Sequence, residues 1–282
     1  MTYSCFDVQI DNNIAHIILN RPEKRNSMVP AFWNELPKIV RDIDENSKAR
    51  VIVLSSTGPH FSSGLDVASF VEPEIADPAA KKAAEIQAGA NFYGAVKNMQ
   101  GTFTVLQECR LPVLAAVQGG CIGGGVDLIT ACDMRFATED AFITIFETNI
   151  GMTADVGTFP RITKLIADGL ARELAYTGRR MHADEGKTAG LFNNVYKDHE
   201  AMMAAVMKMA AEIASKAPLA IMGCKRMMNY SQNHTVEDSL DYIAIWNASM
   251  LQRDEIFEAM KANQEKRQGE FVDLPPIRKN IG

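Results

Sequence analysis

Apolar and polar positions over the first fifty residues follow a strand, strand, helix order. FDVQI and AHIILN are short apolar runs separated by Asn12 and Asn13, a pair suited to a turn, and Arg21-Pro22 ends the second run. Pro30 fits the first turn of a helix, and Phe32, Leu36, Val40 and Ile43 recur on one helical face, with Pro37 placed to kink it. The β-branched run RVIVLSSTG then predicts a buried strand, residues 78 to 108 a helix, and LPVLAAVQGG a second buried strand that ends in glycines. DLITACD reads as a short helix and MRFATEDAFITIFE as strand-like, with Glu147 at the strand's end. Short strands alternating with helices predict an α/β core over residues 1–200. From about residue 200 helix formers dominate. EAMMAAVMKMAAEIASKAP closes at Pro218, and LDYIAIWNASMLQRDEIFEAMKANQEKRQ reads as one long amphipathic helix, so residues 201–282 form a helical region. Part of its apolar face is expected to meet another subunit.

Composition narrows the classes. A chain of 282 residues can bury about 75% of the surface its unfolded form exposes, so it needs no disulfides to hold a core. Apolar residues make up 47% and no window approaches the length of a membrane span, which predicts no membrane partner. The net charge of -6, from 29 basic and 35 acidic side chains, gives no general reason to bind nucleic acid. Five cysteines without a Cys-x-x-Cys pair or a histidine cluster predict no metal site and a reducing, cytoplasmic setting. The opening MTYSCFDVQI lacks the order of a secretory signal.

Candidate chemistry concentrates in two glycine-bearing turns. GGCIGGGVDL, residues 119–128, has five glycines between a strand and a helix. Gly123, Gly124 and Gly125 can there present N–H groups that a starting helix leaves without partners, or simply make a tight turn. A phosphate loop is excluded, because Met181 stands where Gly186-Lys187-Thr188 would need its first glycine. HFSSGLDV, residues 60–67, carries two small serines, Gly64, Leu65 and a candidate N-cap, Asp66. Two such turns can aim one N–H apiece at a single carbonyl oxygen that gains negative charge, and one such donor is typically worth about 2.7–4 kcal/mol of barrier.

The pairing of FSSGLD with GGCIGGGVDL resembles the oxyanion-hole signature of the crotonase (enoyl-CoA hydratase/isomerase) family, and NRPEKRNSM, residues 20–28, resembles its coenzyme A loop. AFITIFETNIGMTADVGTFPRI resembles the family's second catalytic strand and loop, and ARELAYTGRRMHADEGKTAGLFNNVY its later helix-strand unit, so that the resemblance spans roughly residues 5 to 265. It implies an α/β, ClpP-like spiral of ββα units with a helical C-terminal trimerisation region, assembled as a trimer or a dimer of trimers. It also implies oxyanion donors at the backbone N–H groups of Leu65 and Gly124.

Three acids refine the resemblance. GGGVDL, FETNIG and TADVG, with Asp127, Glu147 and Asp155, resemble the dienoyl-CoA isomerases at all three positions; hydratases resemble the chain at Glu147 but carry glutamate where Asp127 stands. By this resemblance Asp155 removes a proton beside a thioester carbonyl, Glu147 returns one at the far end of a conjugated diene, and Asp127 supports them. The substrate would be an acyl-CoA, with coenzyme A as part of it and no separate cofactor. Lys24 and Arg25 would meet its phosphates and adenine, Ser62, Ser63, Gly64 and Asp66 would line its entry, and residues 75–105 would supply pocket walls. Two alternatives remain open: hydration of a 2-enoyl-CoA by Glu147 and Asp127, and a non-catalytic RNA- or protein-binding module. The five histidines are expected to serve surface or packing.

Overall fold

The computed structural model describes residues 2–70 and 77–278, so two positions of the expected pocket wall and the last four of the helical region fall outside it. In chain order the elements are β1 (Phe6–Asp11), β2 (Ile14–Leu19), α1 (Pro30–Glu45), β3 (Val51–Ser56), α2 (Pro78–Glu108), β4 (Val113–Val117), β5 (Gly120–Ile122), α3 (Gly124–Thr130), β6 (Met134–Thr138) and β7 (Phe142–Thr144). There follow α4 (Thr158–Ile162), α5 (Asp168–Thr177), β8 (Met181–His182), α6 (Ala183–Thr188), β9 (Asn194–Tyr196), α7 (His199–Ala214), α8 (Pro218–Ser231), α9 (Val236–Met250) and α10 (Arg253–Glu265).

Asn12 and Asn13 both take positive φ, as a two-residue hairpin turn requires, and join β1 antiparallel to β2. The remaining strands of this six-stranded sheet, in order β1-β2-β3-β4-β6-β9, are parallel. Both faces of such a sheet must be covered, which is why β3 is buried throughout. Its side chains alternate between two cores. Ile52 and Leu54 join the large core, while Val51 and Val53 pack with Met202, Val206, Ala210 and Ala214 of α7. β4 divides likewise, with Val113, Ala115 and Val117 on one side and Leu114 and Ala116 on the other. β5, β7 and β8 form a second, smaller sheet.

Pro37 does not break α1. It has no N–H for the carbonyl of Trp33 one turn earlier, and the Thr102 hydroxyl of α2 donates to that carbonyl instead, at 3.1 Å. Lys225 of α8 is 5% exposed and directs its ammonium to the Leu106 and Leu111 carbonyls, both at 2.7 Å, and to the Asp133 carboxylate at 2.9 Å. Three oxygen acceptors, with the Cys109 sulfur at 3.5 Å, surround its three donors, which makes its burial tolerable and binds the helical region to the core.

Two expectations require correction. β7 ends at Thr144, and Glu147 opens a short 3-10 turn, Glu147–Ile150, instead of ending the strand. The strand stops because its partners do: β5 ends at Ile122 and β8 has two residues, so no ladder supports extended backbone farther on. The long C-terminal helix is also two helices, separated by extended Leu251 and Gln252. Asp254 and Glu255 occupy the first turn of α10, where the helix dipole favours acids.

Candidate active site

The chain from His60 to Leu65 runs beside the turn that follows β4. Phe61 N–H donates to the Gln118 carbonyl, Ser62 N–H to Gly120, and Ile122 N–H back to Ser62. His60 Nδ1 accepts from Gly120 N–H at 3.0 Å, which fixes the ring's proton on Nε2 when it is neutral. Behind this pair lies Asn26, 2% exposed, whose side chain accepts from Arg21 N–H and donates to the Thr57 and His60 carbonyls. Each polar group of this buried Asn therefore holds a different piece of backbone in place.

The segment around Met28 orients Leu65. Met28 N–H donates to the Gly64 carbonyl and Asp66 N–H donates to Met28, so residues 64 and 66 face the Met28 segment. In extended backbone successive N–H groups alternate, which turns that of Leu65 the other way, toward α3. A Cβ added to Gly64 would lie 2.6 Å from the Ile122 carbonyl oxygen and 3.1 Å from Gly124 N, and φ is +80° there; only glycine permits the approach. A Cβ on Gly124 would in turn lie 3.7 Å from Leu65 N. Gly124 is the first residue of α3, so its N–H has no partner within the helix. The two expected donors are thus brought together at one point.

Asp127 and Glu147 lie at this turn, and Asp155 bears electrostatically on Glu147. Asp127, one turn into α3, is 1% exposed, and its Oδ1 accepts from Thr158 N–H at 2.6 Å and from the Thr158 hydroxyl at 2.8 Å. Burial pushes its carboxyl up to about 7; the Thr158 hydroxyl and amide and Arg161 pull it down, while Glu147 pushes it further up. Glu147 is held above the usual carboxylate range by burial first, with Asp155 adding to the rise and neighbouring backbone N–H groups opposing it. Its Oε2 is buried without a hydrogen-bond partner, and its Oε1 lies 3.1 Å from where a Cβ of Gly123 would stand. Glu147 therefore sits against the turn that presents Gly124, near enough to Asp127 and to Asp155 to interact electrostatically with both. Asp155 is half-buried on the loop leading to α4, between buried Ala154 and Val156.

The expected acyl-CoA contacts are placed unevenly. Lys24 and Arg25 are exposed on the turn next to Ser63, whose N–H donates to the Arg25 carbonyl. Ser62, expected at a substrate entry, is fully buried, and its hydroxyl donates to the Asn26 carbonyl and accepts from Gly64 N–H; it supports the turn from behind. Asp66 accepts from the Ser27 hydroxyl at 2.9 Å. His60, assigned no role from sequence, joins the two turns. A histidine immediately before the FSSG segment is the only signal that could have drawn attention to it. Among the described residues no group of three or more His, Cys, Asp or Glu is arranged to hold a metal ion, and no helix is long and apolar enough to cross a membrane.

Comparison with known proteins gives this geometry a family. Residues 9–274 match the family model described as enoyl-CoA hydratase/isomerase. The chain is 44% identical over 266 residues, 94% of its length and 80% of the relative's, to the mitochondrial Delta(3,5)-Delta(2,4)-dienoyl-CoA isomerase of Mus musculus. It is 38% identical to the peroxisomal enzyme of that name from Arabidopsis thaliana, with 94% of each chain covered. The crystal structure of an enoyl-CoA hydratase from Bacillus anthracis superposes with a TM-score of 0.83 at 27% identity, over 95% of this chain and 99% of that one. The fold is the crotonase-type α/β architecture expected from the sequence, and the chain belongs to the enoyl-CoA hydratase/isomerase family.

Proposed function

We propose that this protein converts 3,5-dienoyl-CoA to 2,4-dienoyl-CoA, a step in the β-oxidation of unsaturated fatty acids. The observation that carries the reading is Glu147, whose carboxyl group lies against the Gly123-Gly124 turn and interacts electrostatically with Asp127 and Asp155, in a chain 44% identical to a dienoyl-CoA isomerase. The thioester carbonyl would accept from Leu65 and Gly124 N–H. Asp155 removes the proton from C2, and the electron pair delocalises over the diene onto the carbonyl oxygen as an extended enolate. Glu147, whose proton affinity burial and the nearby Asp155 raise above the usual carboxylate range, then gives its proton to C6 as the electrons return. The double bonds now begin at C2 and C4, and proton exchange with solvent resets both acids. Asp127, held by Thr158, fixes the charge balance around Glu147.

Coenzyme A enters this reaction only as part of the substrate, with Lys24 and Arg25 at its phosphate end. Five free cysteines suit a reducing compartment such as the cytoplasm. The exposed apolar side chains of α9 and α10, among them Leu240, Ile245, Phe257 and Met260, support assembly with further copies as a trimer or a dimer of trimers. Light scattering on wild type and Phe257→Asp should show the assembly and its weakening.

The test of the reaction is to mix the protein with a 3,5-dienoyl-CoA and, separately, a 2-enoyl-CoA. Rising dienoyl-thioester absorbance at unchanged product mass is expected from the first. Gain of one water on the second, with no change in the first, would replace this reading with hydration.

A further inference from the structure

The loop that carries Asp155 has few ladder contacts of its own, yet one side of α2 holds it, directly through Gln100 and, by way of Arg161 of α4, through Thr104 and Gln107. Gln100 Nε2 donates to the Asp155 carbonyl at 2.7 Å. One turn on, the Thr104 hydroxyl accepts from Arg161 Nη2 at 3.1 Å, and one turn farther the Gln107 side-chain oxygen accepts from Arg161 Nε at 3.2 Å. The separations of four and three residues put all three on one helix face. Arg161 folds back from α4 over Gly157 so closely that a Cβ there would stand 1.9 Å from Nη1; the φ of +135° and the missing side chain make room for the guanidinium. Gln100, Thr104, Gln107, Asp155, Gly157 and Arg161 border one cavity of about 420 Å³.

We propose that Gln100 and Arg161 are positioning residues that fix the Asp155 backbone to α2, with Thr104 and Gln107 as the anchor for Arg161. The placement explains why a half-buried acid on a loop can hold one position. Gln100 grips the peptide of Asp155 itself, and Arg161 grips the peptide two residues later through Nη1 to the Gly157 carbonyl at 3.4 Å. Arg161 also opposes the effect of burial on Asp127, whose carboxylate holds the start of the same helix α4 at Thr158. Arg161 thus acts on two of the three acids. A small misplacement of a reacting group can cost about a hundredfold in rate, so the tether should be visible in turnover.

The consequence for catalysis rests on the proposed isomerase reaction, so the experiment has one arm that does not. Amide hydrogen exchange over residues 151–158 is measured in wild type, Gln100→Leu, Arg161→Met and Arg161→Lys, alongside kcat and KM for a 3,5-dienoyl-CoA. Faster exchange in that segment is expected for Gln100→Leu and Arg161→Met, with kcat down about tenfold or more, KM within about twofold of wild type, and part of kcat restored in Arg161→Lys. Unchanged exchange in both Gln100→Leu and Arg161→Met overturns the tether whatever the substrate is. Faster exchange with unchanged kcat overturns the positioning role. Lack of dienoyl turnover by wild type would remove the isomerase reading while exchange still decides the tether.

Discussion

The turns that carry Leu65 and Gly124 and the loop that carries Asp155 differ in how they are held. Around the two N–H donors almost every support is backbone, the buried side chains of Asn26 and Ser62, or the half-buried ring of His60, within the paired segments 60–65 and 118–122. Asp155 hangs instead between two buried apolar residues, and its loop is held by Gln100 of α2 at its own carbonyl and by Arg161 of α4 at that of Gly157. The contrast fits the work proposed for them. Dipoles that stabilise an oxyanion contribute most when they need not reorganise, whereas acids must gain and lose protons, so their surroundings have to set charge as well as place.

The comparison breaks most sharply at the acids. Glu147→Gln keeps the volume and removes the proton donor, and kcat should fall by about 10²–10⁴-fold with little change in melting temperature. Wild-type-like turnover by that variant, or by a folded Asp155→Asn, would refute the assigned roles. Gly64→Ala attacks the rigid side. Its Cβ would press on the Ile122 carbonyl and the Gly124 amide, so both the rate, by about 10²–10³-fold, and the melting temperature should drop together. A loss of rate without loss of stability would show that the turn is softer than its hydrogen bonds indicate.

The smallest effect sharpens the role of charge. Folded Asp127 holds its proton up to about 7 against an ordinary value of 3.8, so the folded state binds more protons than the unfolded chain between those values. Stability from this group is therefore present at low pH and lost as pH rises through about 7. Asp127→Asn keeps an oxygen for both Thr158 donors and removes the ionisation. Its melting temperature relative to wild type should be higher at pH values above about 7 than at about pH 5, and an equal difference at both would contradict the burial argument.

Much of the scaffold was legible because short-range rules govern it. The continuous β-branched run of β3, the Asn12-Asn13 turn and the glycines before α3 each follow from local sterics and burial. Asp127, Glu147 and Asp155 could be singled out by spacing within motifs, and the turn glycines by type. What stayed hidden depends on register between distant elements. Ser62 looks like an entry-lining serine until Asn26 is found beneath it, and Glu147 looks like a strand end until its neighbours run out at Ile122 and Met181. Gln100, Thr104 and Gln107 carry no motif at all. α2 is exposed along its first half and only its second half enters the core, so its sequence shows no apolar stripe to mark which polar face matters.

The bond between Thr102 and the Trp33 carbonyl acts as a key for that helix. A proline in α1 leaves one carbonyl open at a fixed height, and one hydroxyl on α2 fits it. Sliding α2 by a single residue would strand that carbonyl away from water, at a cost of about 1–3 kcal/mol, and would carry Gln100, two residues earlier, out of reach of Asp155. An imperfection in the first helix thereby sets the alignment of an acid that lies more than a hundred residues farther along the chain.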